Sequence, residues 1–471
     1  MAILGLMTTS ALEANRALNA RRKVFYDYPT GRFPLMGLLS LTDDMEQLTD
    51  PEFGWHEEQW KSVRSKTIAC ESGKGPFATN AGAGSGTAAA EATVAAGGTV
   101  YLTIVDSSEF RVRDIVNVRD VAYASGSNKA QLVGWVTAND VSKNLLTLQV
   151  MDSAFGTTAA ENSDTTNNGK YISVIGTASA EGDRSRSDGR TGLPIKITNY
   201  TQIFRTVVGP FTGTSLKMGQ TFDSKPLYRK SVKDNSLRHM EKMEKAMMFG
   251  VARTTTTTNA DGDTVPVRFT GGIRHYLQQW DLGNTINGGL FNYRPGGDDL
   301  TNVDWTDDAY SEKRVYNNIG TITSDQWEEL IRRAFMSQSD TTYQKLVVCG
   351  DKVLAKINKW VGAKSIANRD LTSKEDAYGL QIKEVHTVHG DFLFKTHPLF
   401  KEDPALQDSM MILDFGDLGY HCLEGRDTEL LTNRQPQDAD YRKDEWLTEC
   451  GFEVRMPKRH MFITGLTGIL T

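Results

Sequence analysis

The sequence predicts an α+β protein with a small all-β unit set into its first half. Three observations lead there: short β-branched runs parted by polar turn clusters between residues 98 and 178, one long helical segment at 224–250, and alternating helix and strand patterns from residue 323 onward. At 471 residues, with 24% charged and 39% hydrophobic side chains, the chain can bury a sizeable core, divided over about two to four compact units. No apolar run approaches the ~18 residues that a membrane span requires. MAILGLM at the start lacks the basic flank and cleavage pattern of a secretory signal. No membrane partner is expected. Cys70, Cys349, Cys422 and Cys450 are widely spaced without a CxxC pair, which suits buried thiols in a reducing cytoplasm better than a disulfide framework.

Residues 1–60 read as an N-terminal arm. Ser10 and Glu13 form a capping box ahead of a short Ala-rich helix that ends in Arg21-Arg22-Lys23. The proline-broken stretch FYDYPTGRFPLMG has little of its own to pack on, so it is either disordered or held by another subunit. KSVRSKTIA at 61–69 reads as a strand, followed by the low-complexity bridge ATNAGAGSGTAAAEA. The runs Val100–Val105, Phe110–Val118, Gln131–Val136, Leu145–Val150 and Tyr171–Ile175 make 95–180 an inserted barrel- or sandwich-like domain. A strand at Ile195–Arg205 is expected to pair with 61–69, so the insertion would ride on an excursion spanning 61–210. A two-stranded ribbon of that kind is marginal without a partner surface.

The long helix follows, with Ser224 as cap, Pro226 in its first turn and Gly250 as its stop, about 40 Å in length. Leu237, Met240, Ala246 and Met247 form its apolar stripe. Residues 251–320 offer only a Thr run and a short apolar segment at Gly271-Gly272-Ile273. Thr323 and Gln326 make a capping box for a helix carrying Trp327, Leu330, Ile331, Ala334 and Phe335. Next come a buried strand at Leu346–Cys349 and a helix with Val353, Leu354, Ile357 and Trp360. A hairpin of Gln381–His389 and Phe392–Thr396 turns around Gly390-Asp391. Strands at Met410–Asp414 and Leu418–Cys422 and a sheet-like terminal segment from Glu445 complete the chain.

The net charge of −6 is unevenly spread. Residues 183–255 hold fourteen Lys/Arg against six Asp/Glu, which leaves the remainder strongly acidic. Such a segment suits a face turned toward phosphates or a helix meeting an acidic neighbour. Arg16, Arg21, Arg22 and Lys23 of the arm, with Lys225, Arg229, Lys230 and Lys233 of the helix, are the candidate DNA-facing or inter-subunit residues. His386, His389 and His397 cluster in sequence, but His386 and His389 have opposite strand parity, which argues against a metal site. GAGSG at 82–86 lacks both a preceding apolar strand and a following Lys-Ser/Thr, so it is a linker rather than a phosphate loop. There is no GxSxG and no HExxH. No catalytic residue, cofactor or metal is expected, and the chain reads as a non-enzyme.

Several segments, taken in order, resemble a known family. They are NYTQIF at 199–204 with TGT at 212–214, EKMEKAMMFG ending the long helix, and GGIRHYL at 271–277. VHTVHGDFLFKTHPLF, MMILDFGDLGYHCLEG and KDEWLTECGFEVRMPKRHMFITGL follow. Together they resemble the tailed-phage capsid fold of the Hong Kong ninety-seven type, and within it the major capsid family typified by Escherichia phage SU-ten. The resemblance implies an N-terminal arm at 1–60 and an extended loop at 61–210. It implies a peripheral domain at 211–342 with spine helix 224–250, an axial domain at 343–440, and peripheral return strands at 441–471. It further implies a virion shell protein, assembled in the bacterial cytoplasm as hexamers and pentamers. Its partners would be its own copies, packaged double-stranded DNA, a portal protein and decoration proteins. Two other readings stay open: an encapsulin-type compartment shell, and a β-rich surface-binding or adhesion protein.

Overall fold

A computed structural model describes residues 35, 45–58, 63–72, 92–94, 97–104, 107–123, 126–151, 155–157, 171–182, 194–218, 226–259, 261–282, 285–286, 289–290, 313–336, 344–363, 372–375 and 381–470. It is a mixed structure of many strands and few helices. The chain divides into two compact units, one formed by Met1–Glu57 with Ile195–Thr471, the other by Glu58–Pro194.

The second unit is a closed six-stranded barrel. Around it run Tyr171–Thr177, Arg64–Ser72, Thr99–Ile104, Leu145–Val150, Gly126–Asp140 and Asp114–Tyr123, the last pairing back to the first. Closure leaves no free sheet edge. Period-two alternation sends Val100, Leu102, Ile104, Val116, Val118, Leu146, Leu148 and Val150 inward to one core. The expected strand at Phe110–Val118 begins only at Asp114. The Asp114 carboxylate accepts the Arg111 N–H at 2.9 Å, and Arg113 has a φ of 76°, so 111–113 turn instead of extending. Phe110 still reaches the barrel core.

The pairing expected between 195–205 and 61–69 is not the one observed. Ile195–Tyr200 pairs antiparallel with Glu52–Glu57, whereas Arg64–Ser72 is consumed by the barrel. The pairing sets Ile197 against Trp55, both buried. Met45–Leu48 likewise runs parallel to Leu418–Leu423. Leu35, inside the stretch expected to find nothing in its own chain, is wholly buried in the larger unit's core. Residues 45–57 are therefore part of the body.

Two sheets organise the larger unit. One orders Met45–Leu48, Leu418–Leu423, Tyr441–Val454 and Gln202–Thr212, with Glu429–Leu431 also on Tyr441–Val454. The other orders Val315–Tyr316, Met461–Ile463, Met410–Leu413, Gln344–Cys349, Asp391–Thr396, Gln381–His386 and Thr372–Glu375. Along Gln344–Cys349, Leu346 and Val348 join one core cluster and Val347 and Cys349 the other, so this central strand is buried on both faces. Ser324–Phe335 starts with the expected capping box, Thr323 and Gln326 satisfying each other's backbone N–H. The Thr run forms Arg253–Thr258, paired with Thr264–Phe269.

The long helix is Leu227–Phe249, 23 residues or about 35 Å, starting after Pro226. The expected cap Ser224 lies outside the described residues. Gly250 ends the helix and Gly272 packs on that end, its N–H donating to Gly250 O at 2.9 Å. A Cβ at Gly272 would meet the carbonyls of Ala246 and Met247 at 2.5 Å, so only glycine permits this approach.

Candidate functional site

The described basic candidates sit on the first half of the long helix. Arg229 and Lys233, one turn apart, are exposed and share a face; Lys230 is half-buried beside them. Arg16, Arg21, Arg22, Lys23 and Lys225 lie outside the described residues. The helix is fixed through another side. Trp446 donates its indole N–H to Val232 O at 3.2 Å, Tyr228 donates its hydroxyl to Asp444, and the Arg442 guanidinium lies 4.4 Å above the Tyr228 ring. These anchors bind the helix to Tyr441–Val454 and leave Arg229 and Lys233 exposed.

One turn further on, a polar relay crosses the helix–sheet contact. Lys242 Nζ donates to Thr206 Oγ1 at 3.0 Å, and Thr206 lies 3.1 Å from His239 Nδ1. His239 Nε2 lies 2.8 Å from Thr448 Oγ1, which donates to Thr428 Oγ1 at 2.9 Å. Since Thr448 gives its proton to Thr428, it accepts from His239 Nε2–H, and Nδ1 accepts from Thr206. That order needs a neutral imidazole. Burial, with the Lys242 charge adding, pulls the His239 pKa down to about 4.

Glu244, on the next turn, is wholly buried and holds two distant parts of the chain. Its Oε1 accepts the Leu35 N–H at 3.0 Å and lies 2.7 Å from His397 Nε2. His397 Nδ1 accepts the Leu399 N–H at 3.1 Å, so Nε2 carries the proton and donates to Glu244. Asn199 plays a similar part, its amide donating to Phe452 O at 2.6 Å and Gly271 O at 3.1 Å while its oxygen accepts the Gly271 N–H at 2.8 Å. Asp281 accepts the N–H groups of Arg314 and Val315, both at 2.7 Å; burial outweighs these donors and raises its pKa to about 7. Each of these groups braces backbone from remote segments. None is arranged as a nucleophile with a base beside it.

The three histidines grouped in sequence take separate partners. His397 holds Glu244, His386 Nδ1 lies 2.8 Å from Asp391 Oδ1, and His389 is exposed in the turn. Sequence reasoning missed the Glu244 anchor. Its signal was present: Met243, Met247 and Met248 flank it at buried helical spacing.

Residues 29–467 match the family model described as SU10 major capsid protein. The chain belongs to that family. It is a major capsid protein, and its family is a structural one, not a family of enzymes. Among solved structures, the chain is similar to the capsid of cyanophage A-1(L), at 9% identity over 62% of this chain and 85% of that one, with a TM-score of 0.41. It is also similar to a chain of Mycobacterium phage Patience, at 12% identity over 61% and 75%, TM-score 0.35. A third is the holo-SrpI encapsulin complex of Synechococcus elongatus PCC 7942, at 10% identity over 59% and 80%, TM-score 0.35. No curated protein matches the chain. For a major capsid protein, the features that matter are the surfaces left for neighbouring copies. Gln202–Thr212 is the last strand of its sheet, and its outward side carries Ile203 and Val207 at 51% and 41% exposure. No described helix is long and apolar enough to cross a membrane.

Proposed function

We propose that copies of this chain form the hexamers and pentamers of an icosahedral tailed-phage head that encloses double-stranded DNA. The match of residues 29–467 to the capsid family carries the reading. In it the fold is of the Hong Kong ninety-seven type, with the arm at 1–60, whose segment 45–57 pairs with the body's own strands, and the extended loop at 61–210 bearing the barrel, whose residues 195–210 return to the body. The peripheral domain spans 211–342 and 441–471 with the long helix as its spine, and the axial domain spans 343–440. The exposed Ile203 and Val207, on a strand with one edge unpaired among the described residues, supply a surface that a neighbouring copy would cover. Modest contacts suffice, because several per subunit add across a closed lattice.

Arg229 and Lys233, with Lys230, Lys225 and the arm residues Arg16, Arg21, Arg22 and Lys23, would meet phosphates on the lumen side without reading sequence. Portal and decoration proteins are the further partners, assembly takes place in the host cytoplasm, and the subunit's work is mechanical with no catalysis of its own. Gradient sedimentation tests the reading. Expressed in bacteria, the chain should travel as large closed particles, and heads from infected cells should show nucleic-acid-type absorbance. A slow monomer or trimer at high concentration would contradict it. Large particles with protein-only absorbance from infected cells would point to a compartment shell.

A further inference from the structure

We propose that the hairpin of Arg253–Thr258 and Thr264–Phe269 pairs edge to edge with the same hairpin of a second copy, through the strand Arg253–Thr258. This contact rests on the capsid reading, which supplies the second copy. All six residues of Arg253–Thr258 are exposed, so among the described residues the strand is covered on neither face. The hairpin forms a sheet of two strands by itself. A two-stranded ribbon is marginal in water. This one is nevertheless rich in β-branched residues, Thr254 to Thr258 with Val265 and Val267, which favour extended backbone. Its turn is tied as well, Asn259 Oδ1 accepting the N–H groups of Asp261 and Asp263 at 3.0 and 2.8 Å.

The two edges of the hairpin differ. The Asn259 N–H donates to Asp263 O at 2.9 Å, which fixes the phase of the ladder. Alternate pairs from there, Thr257 with Val265 and Thr255 with Val267, bond each other across the hairpin. The pairs between them, Thr258 with Thr264, Thr256 with Pro266 and Thr254 with Arg268, turn their backbone groups outward. On Thr264–Phe269 the middle outward position is Pro266, which has no N–H and closes that edge to a further strand. On Arg253–Thr258 the outward positions are Thr254, Thr256 and Thr258, with neither a proline nor a charge to block them. Only this edge is open to a strand.

The open strand is complementary to its own copy. Antiparallel pairing about a two-fold axis through Thr256 sets Thr254 of each copy against Thr258 of the partner subunit, so every outward group meets an outward group. The same register puts Arg253 across from Asn259 of the partner subunit and diagonally beside the partner's Asp261, within reach of a long side chain. Opposite charges therefore meet at both ends of the contact. Parallel pairing would instead set Arg253 beside the partner's Arg253, a repulsive arrangement.

The test uses particles of the full-length chain expressed in bacteria. Thr256→Cys, treated with a short bismaleimide, should run as a covalent subunit dimer on a denaturing gel. Thr264→Cys should not, since three strand spacings, about 14 Å or more, part the two copies of that residue. The parent, with its four native cysteines, gives the background. Thr256→Pro repeats on the open edge what Pro266 does directly opposite. It leaves the hairpin's internal bonds in place and should lower particle yield and Tm. Thr256→Val keeps the N–H and should assemble like the parent. Particles of Thr256→Cys that give no dimers, or Thr256→Pro particles equal to the parent in yield and Tm, would overturn the pairing. A parent that forms no particles at all would sink the capsid reading, and this contact with it.

Discussion

Replacing Glu244 with alanine should loosen the attachment of residue 35 to the body and destabilise the larger unit. The Glu244 side chain is wholly buried, and its Oε1 is the acceptor for the Leu35 N–H and for the proton on His397 Nε2. Both donors are in solvent-free surroundings, Leu35 and His397 each being 0% exposed. Leaving a buried donor without an acceptor costs about 1–3 kcal/mol. Two such losses give ~2–6 kcal/mol, a large part of the ~5–15 kcal/mol that holds a typical domain folded. Glu244→Gln keeps one acceptor oxygen in place and should lose less, roughly half as much by the same reasoning. Hydrogen exchange read at the Leu35 amide, alongside chemical denaturation, is the assay. The parent amide should be protected, and the alanine variant should lose that protection together with stability. A parent Leu35 amide that exchanges at the free-peptide rate would refute the anchor, as would an alanine variant with an unchanged denaturation midpoint.

Acid should act through His239. A histidine whose folded pKa is lowered from 6.5 to about 4 contributes stability that is full above pH 6.5 and lost as pH falls through about 4. Asp281, raised to about 7, acts with the opposite sign over pH 4–7, so the parent's curve alone does not isolate either group. The stability difference between His239→Gln and the parent should therefore shift in favour of the variant by up to roughly 3 kcal/mol between pH 7 and pH 4, measured by urea denaturation; a pH-independent difference would contradict the neutral relay. Burial pushes the Cys349 thiol up to about 12 and raises Cys450 too, so both should resist a thiol reagent until denaturant is added; rapid labelling of the native protein counts against their burial. In the barrel, Leu148→Ala should cost ~2–5 kcal/mol in thermal or urea melts, since Leu148 is wholly buried. Thr323→Ala should cost about 1 kcal/mol by removing the capping box; an unchanged midpoint would mean that the cap is dispensable.

Local pattern carried much of the fold. The Thr323–Gln326 capping box, the Gly250 stop and the hairpin around Gly390 are short-range features, readable because capping and turn chemistry act over three or four residues. The barrel was legible as period-two runs; Arg64–Ser72 was legible as a strand, but its place in the barrel was not, because a low-complexity stretch separates it from the rest. Glu52–Glu57 and its partner Ile195–Tyr200 stand on either side of that whole unit, and nothing local specifies so distant a pairing. The same holds for Glu244. In sequence it is one more charge on a basic-acidic helix, and only the tertiary fold brings Leu35 and His397 to it. Of the basic candidates, Arg229 and Lys233 are exposed on the long helix.

Electron microscopy of the purified full-length protein would show whether its copies build a shell. Closed icosahedral particles built of this chain are expected, with density for the long helix and the barrel in every subunit. A field of discrete single molecules at high concentration, with no rings, sheets or shells under any assembly condition, would contradict it.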